Sequence, residues 1–205
     1  VVLGSFFPAL RGLGYSNLLL LAVVWGFGGA IASLLLSKVM AKWMQGVQVI
    51  DPASASGEER WLLQTVHRLA EQAGITSMPE VGIWPSAEIN AFCTGPSKNN
   101  SLVAVSSGIL QQMSHAELEG VLAHELSHAA NGDMVTMTLV QGVVNSFVIF
   151  FSFVLARTLL RQGEDDRGGG WGEFMLRQVL QVVLSLIAYV VVIAPFSRWR
   201  EYRAD

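Results

Sequence analysis

His124-Glu125-Leu126-Ser127-His128 is the segment of this chain whose residue types and spacing speak most directly of chemistry. On a helix, residues four apart lie about 40° apart around the axis and one turn along it. Both imidazoles can therefore converge on one ion, and zinc accepts such nitrogens at roughly 2.0–2.1 Å. Glu125 projects into the neighbouring sector, where it can take a proton from water without serving as a ligand. Catalytic zinc sites normally use three protein ligands and leave a fourth position open, so a further ligand is required. His67 lies in a separate amphipathic stretch, and His115 sits in a first helical turn, where a solvated side chain is expected. Near the chain end, Glu201 and Asp205 are again four apart. They offer a ligand carboxylate and an outer carboxylate able to receive the free N–H of a ligand imidazole and fix its tautomer.

The elements that must hold these groups are legible around them. Ser114-His115-Ala116-Glu117 reads as a capping box, and Leu118, Val121, Leu122 and Leu126 continue it as a helix over about 115–131. Ser56-Gly57-Glu58-Glu59 opens a second amphipathic helix through Trp61, Leu62, Thr65, Val66 and Leu69, with a stop at Gly74. Val81-Gly82-Ile83-Trp84 and Ser101-Leu102-Val103-Ala104-Val105-Ser106 read as short strands. Residues 90–106 are the place to look for a sheet edge beside the zinc helix, onto which a peptide could add by main-chain hydrogen bonds; on the residues alone, a strand with purely structural duties is an equal reading.

Composition sets where such a domain must live. Charged residues make up 14% of the 205 residues and hydrophobic ones 52%, against roughly 25% charged in an average soluble domain. Mean hydropathy is +0.45. These values exclude a disordered chain, a nucleic-acid-binding arm and an ordinary soluble globule. The single cysteine, Cys93, excludes an intramolecular disulfide framework and an all-thiolate zinc site. Charge-free intervals of 26, 23 and 20 residues lie between Arg11 and Lys38, Asp133 and Arg157, and Arg177 and Arg198. About 20 apolar residues suffice to cross the hydrocarbon core as a helix.

The expected organisation is therefore a mainly α membrane protein with a small α+β domain at the membrane surface. Residues 1–42 form an N-terminal membrane region with a span at about 17–37, and 43–133 a water-facing region carrying ten acids and three bases. Spans at 134–156 and 178–197 flank a Gly- and acid-rich loop, 157–177, expected to be flexible. Residues 198–205 carry Glu201 and Asp205, the candidate carboxylates for completing the site. Two crossings separate His128 from Glu201, which returns Glu201 to the side of the histidines. The chain opens on Val1 rather than Met and is read as a piece lacking its true start.

Three ordered motifs carry a resemblance. The run from His124 through Asn131-Gly132-Asp133 to Thr138, together with Asn90-Ala91-Phe92-Cys93-Thr94-Gly95 and Glu201-Tyr202-Arg203-Ala204-Asp205, resembles the HtpX endopeptidases. These are bacterial membrane enzymes related to the CAAX prenyl proteases. The resemblance implies a zincin-type protease domain of the gluzincin class, with Zn2+ held by His124, His128 and Glu201. It implies Glu125 as general base, Asp205 as the group orienting a ligand histidine, and Asn90, Ala91 and Phe92 beside the substrate cleft. It further implies hydrolysis of polypeptides, damaged membrane proteins among them, at the bacterial inner membrane with the site facing the cytoplasm. Members of the family continue past Asp205, so a transition-state donor in that tail is not assigned from these residues. Two other readings stand beside it. Proteolysis inside the bilayer would need the motif within a span, whereas Glu117, Glu119 and Asp133 border it. A non-catalytic metal-binding membrane adaptor, or a transporter, would use the histidines without needing Glu125; transport also places ionisable groups within spans, and these spans have none.

Overall fold

The computed structural model describes residues 14–160 and 171–204. The flexible loop expected over 157–177 is shorter than that: residues 157–160 continue the preceding helix and 171–177 already belong to the next, while 161–170, like 1–13 and Asp205, lie outside the described residues. Three described helices are long and apolar enough to cross a membrane: α1 (Tyr15–Met44), α5 (Asp133–Leu160), and a continuous run formed by α6 (Trp171–Ala188), a π-helical turn (Tyr189–Ile193) and α7 (Ala194–Ala204). Between α1 and α5 come β1 (Gln48–Val49), α2 (Gly57–Gln72), β2 (Glu80–Trp84), β3 (Ala91–Ser97), β4 (Asn100–Ser106), α3 (Ser107–Gln112) and α4 (His115–Ala130). The chain divides into two compact units, one built from residues up to Ile31 with Leu139–Trp199, the other from Ala32–Thr138 with the residues from Arg200 onward.

In the membrane unit, small residues let α1 and α5 approach closely. A Cβ placed on Gly26 would lie 2.7 Å from the backbone N of Ser146, and one on Gly142 would meet the ring of Phe27. Leu18, Ala22, Ala30, Ser146, Ser152 and Ala156 are buried along the same two helices. Lipid tails are as apolar as leucine, so backbone proximity and van der Waals contact must hold such helices together. The π turn has a local cause. Pro195 has no N–H and its ring collides with the carbonyl one turn back; widening the helix before it, with Ala194 N–H bonded to the Tyr189 carbonyl, relieves the collision.

The second unit is organised by a four-stranded sheet in the order β1-β2-β4-β3. β2 and β4 are parallel, with Val81 opposite Val103, while β3 runs antiparallel to β4 with Cys93 opposite Val103. β4 is central and buried on both faces, as its unbroken apolar run requires. Val103 and Val105 point into a core made with Leu62, Val66 and Leu69 of α2 and Leu118, Leu122 and Leu126 of α4. Leu102 and Ala104 point the other way, to Ala41 of α1, Val47, Trp84 and Phe92. Lys38 and Lys42, on the last turns of α1, clasp Glu80 of β2 at 2.8 and 2.6 Å. β3 is left as an edge strand. Gly95 breaks its register at φ +150°, where a Cβ would collide with the Asn100 carbonyl.

Candidate metal centre

α4 presents its chemistry by burying the opposite stripe. Ser114 Oγ and the Glu117 carboxylate close a capping box at its start. Leu118, Leu122, Leu126 and Ala129, spaced by three or four, seat the helix in the core. His124 and His128 are thereby turned into an open cavity of about 250 Å³, lined also by Cys93, Glu125, Asp133, Arg200 and Glu201. The imidazoles meet edge to face at 88°. Their Nε2 atoms are 3.2 Å apart, and Glu201 Oε2 lies 3.3 Å from each.

This donor triangle can be tested against a metal. Ligands held tetrahedrally at roughly 2.0–2.1 Å must lie about 3.3–3.4 Å from one another. The three donors have that spacing, and two nitrogens with one carboxylate oxygen are a donor set suited to zinc. The sequence-derived trio is thus brought together, although Glu201 follows His128 by 73 residues.

One neighbour was missed from sequence. Asp133 Oδ2 lies 2.6 Å from His128 Nδ1 and so fixes the proton on that nitrogen, leaving Nε2 as a bare lone pair. Asp133 is placed in turn by Arg200, whose Nη1 donates to its carbonyl at 3.1 Å and whose Nε lies 3.9 Å from Oδ2. The available signal was an acid five residues past His128 and just beyond the helix end; it read as the border of a span. Asp205, the expected orienting acid, lies outside the described residues.

Glu125 stands beside the cluster and accepts a hydrogen bond from the Cys93 backbone N–H. Burial pushes its carboxyl above the ordinary range; His128, the Cys93 amide and His124 pull it back, and Glu201 adds to the rise. A carboxylate so raised is a stronger proton acceptor than one in water. The Cys93 thiol is pushed up to about 12, chiefly by burial and then by Glu125, and stays neutral. A neutral thiol is a poor metal ligand.

Asn90, Ala91 and Phe92 do not line the cavity, whereas Cys93 does. Asn90 is tied to the end of β4, its N–H donating to Ser106 Oγ and its carbonyl accepting from Ser106 N–H. The Phe92 ring lies against Trp84, 5.1 Å between centroids, on the other face of the sheet. His115 stacks on Trp61 and contacts Glu58; neither it nor His67 belongs to the cluster.

A model of peptidase family M48 matches residues 56–205. The chain belongs to peptidase family M48. Among relatives, the protease HtpX homologue of Verminephrobacter eiseniae is 53% identical over 199 residues, covering 95% of this chain and 67% of that protein. Protease HtpX of Acinetobacter baumannii is 50% identical over 206 residues, covering 98% and 67%. The homologue of Bacillus subtilis is 50% identical over 204 residues, covering 98% and 68%. The chain thus spans about two thirds of the length of these M48 relatives. The crystal structure of S. mikatae Ste24p shares the fold at a TM-score of 0.65 and 16% identity, over 99% of this chain and 49% of that one. With its three apolar helices, the chain is that of a membrane-anchored M48 metalloprotease acting on polypeptides. Nothing in these similarities favours the adaptor.

Proposed function

We propose that this chain carries the active site of a zinc endopeptidase of the inner membrane that hydrolyses damaged or misfolded membrane proteins on the cytoplasmic side. The observation that carries the reading is the convergence of His124, His128 and Glu201 within 3.3 Å of one another, with Glu125 alongside. In this reading the three side chains hold the metal, and Asp133 keeps His128 in the ligating tautomer. Asp205 keeps the orienting role implied for it by the resemblance. Zinc bound there supplies Lewis acidity, acidifying the attacking water and polarising the scissile carbonyl. Glu125 takes the proton from that water and passes it to the leaving amine; the Cys93 amide holds the carboxylate in place for both transfers.

The free edge of β3 is the proposed substrate rail. Ser106 N–H bonds the Asn90 carbonyl, so Asn90 faces β4. Alternation of an antiparallel ladder then turns the main-chain N–H and carbonyl of Ala91 and the carbonyl of Cys93 outward, the Cys93 N–H being taken by Glu125. A peptide added there would be held through its backbone, with little demand on sequence. The contribution of Asn90, Ala91 and Phe92 to binding is thus through main chain and strand placement.

Casein hydrolysis by the protein in mild detergent, with zinc restored after chelation, tests the reading. Activity that returns with zinc and is absent from Glu125→Gln supports it. Hydrolysis that survives exhaustive chelation would sink it.

A further inference from the structure

The membrane unit contains a groove of about 520 Å³ between α5 and the run formed by α6 and the π turn, and its lining is unusual for a bilayer. Gln141 and Asn145 line it from α5, and Gln178, Gln181, Ser185 and Tyr189 from the other side. On each helix the polar residues recur at spacings of three or four, so they form stripes rather than scatter. Asn145 is at the centre of its 23-residue charge-free interval. Ser185 and Tyr189 are near the middle of theirs, so the stripes reach the bilayer interior.

Their hydrogen bonding is incomplete. Gln141 Nε2 donates to Asn145 Oδ1 at 2.7 Å, but each carboxamide has two donor hydrogens and an acceptor oxygen. Gln178, Gln181, Ser185 and Tyr189 make no side-chain hydrogen bond among the described residues. Hydrocarbon offers no substitute for water, so a polar group facing it lacks its partners at considerable cost. Among the described residues, the run that carries most of these groups is also the least covered of the three apolar helices: 6% of its apolar window is buried, against 22% and 28% for the other two. The groove wall ends in the π turn that Pro195 imposes.

We infer that this groove is a docking site for a membrane-spanning helix of another polypeptide, one carrying polar residues such as asparagine, glutamine or serine in mid-span. An all-apolar helix would cover the stripes without satisfying them, whereas a helix with its own amides or hydroxyls would pair with them. Such a helix is marginal in lipid by itself. On the protease reading above, from which this inference takes its substrate class, the enzyme would thus select spans poorly suited to the bilayer.

The test has two arms. In the first, a photocrosslinking residue replaces Val182 or Leu186 in the full protein bearing Glu125→Gln, expressed beside single-span reporters. Their spans differ only in two central asparagines in place of leucines. Adducts several-fold more abundant with the asparagine reporter are expected. Equal adducts with both, or adducts only within the chain itself or to a second copy, would overturn the inference. In the second arm, Gln181→Leu combined with Asn145→Leu should cleave casein at the parental rate. Cleavage of the asparagine reporter should slow by roughly three- to tenfold, as loss of one or two interhelical hydrogen bonds implies. Parental cleavage of both substrates would overturn the docking site and leave the protease reading intact. Failure of the parent protein to cleave casein with zinc present would strike the protease reading instead, and the crosslinks would still decide the docking site.

Discussion

His128 divides its two ring nitrogens between two tasks: Nδ1–H donates a hydrogen bond to Asp133, and Nε2 faces His124 and Glu201. An imidazole paired with an anion on one side is a better donor on the other. Asp133→Asn keeps the shape and a hydrogen-bond acceptor but removes the charge, so zinc affinity should fall roughly 10–100-fold with the fold unchanged. Zinc retained across a graded chelator series, with circular dichroism as the control, checks this; parental retention would assign Asp133 a purely structural role. Glu201→Gln replaces an anionic oxygen ligand by a neutral amide and should weaken zinc more than Asp133→Asn does. Glu125→Gln, by contrast, touches no ligand atom. Metal content should stay parental while casein turnover falls to background, and substantial turnover would exclude Glu125 as the base.

Among the elements, α4 was the most legible because three independent signals coincide in it: the capping box, the leucine stripe and the histidine pair. Its described span, His115–Ala130, lies within a residue of the sequence reading. Ser114→Ala removes the acceptor for the Glu117 amide and should cost about 1 kcal/mol of stability, read as a lowered thermal midpoint in detergent. Glu117 adds a pH dependence. Its carboxyl is held below the ordinary range by the Ser114 hydroxyl and backbone N–H. A lowered folded value means the cap is at full strength above the unfolded carboxylate pKa and fades as pH falls through the folded one. β3 was less legible. Its Pro-, Gly- and Cys-containing segment lacks the β-branched alternation that marked β4, and its pairing depends on a partner that comes later in sequence. Strand parity explains the remaining difference at the site. Phe92, the conspicuous side chain, points to the far face, while Cys93 next to it delivers both an amide and a thiol to the cavity. The π turn was hidden because Pro195 can be accommodated by a kink, a break or a widened turn, and spacing alone does not choose among them.

At the scale of the whole molecule, the centre depends on an even number of membrane crossings. The chain leaves α4, runs through α5, and returns through the helix bearing Glu201. An odd number of crossings would strand Glu201 on the opposite side of the bilayer from both histidines. The 3.3 Å approach of Glu201 to both is therefore a constraint on topology as well as on chemistry. Parity does not say which side that is, and charge does not either. Lys38, Lys42, Arg198, Arg200 and Arg203 flank the spans on the metal side, against Arg11, Arg157, Arg161, Arg167 and Arg177 on the other. The positive-inside rule counts bases near span ends and gives acids little weight, so five against five leaves it balanced. Cysteine labelling reads the cytoplasmic orientation proposed above directly. In a variant with Cys93→Ser, a single cysteine placed at Gly168 should react with a membrane-impermeant maleimide added to intact cells. A cysteine at Ser54, on the side of the metal site, should react only after the membrane is opened. The reverse pattern would put the candidate centre outside the cytoplasm, with His124, His128 and Glu201 still together.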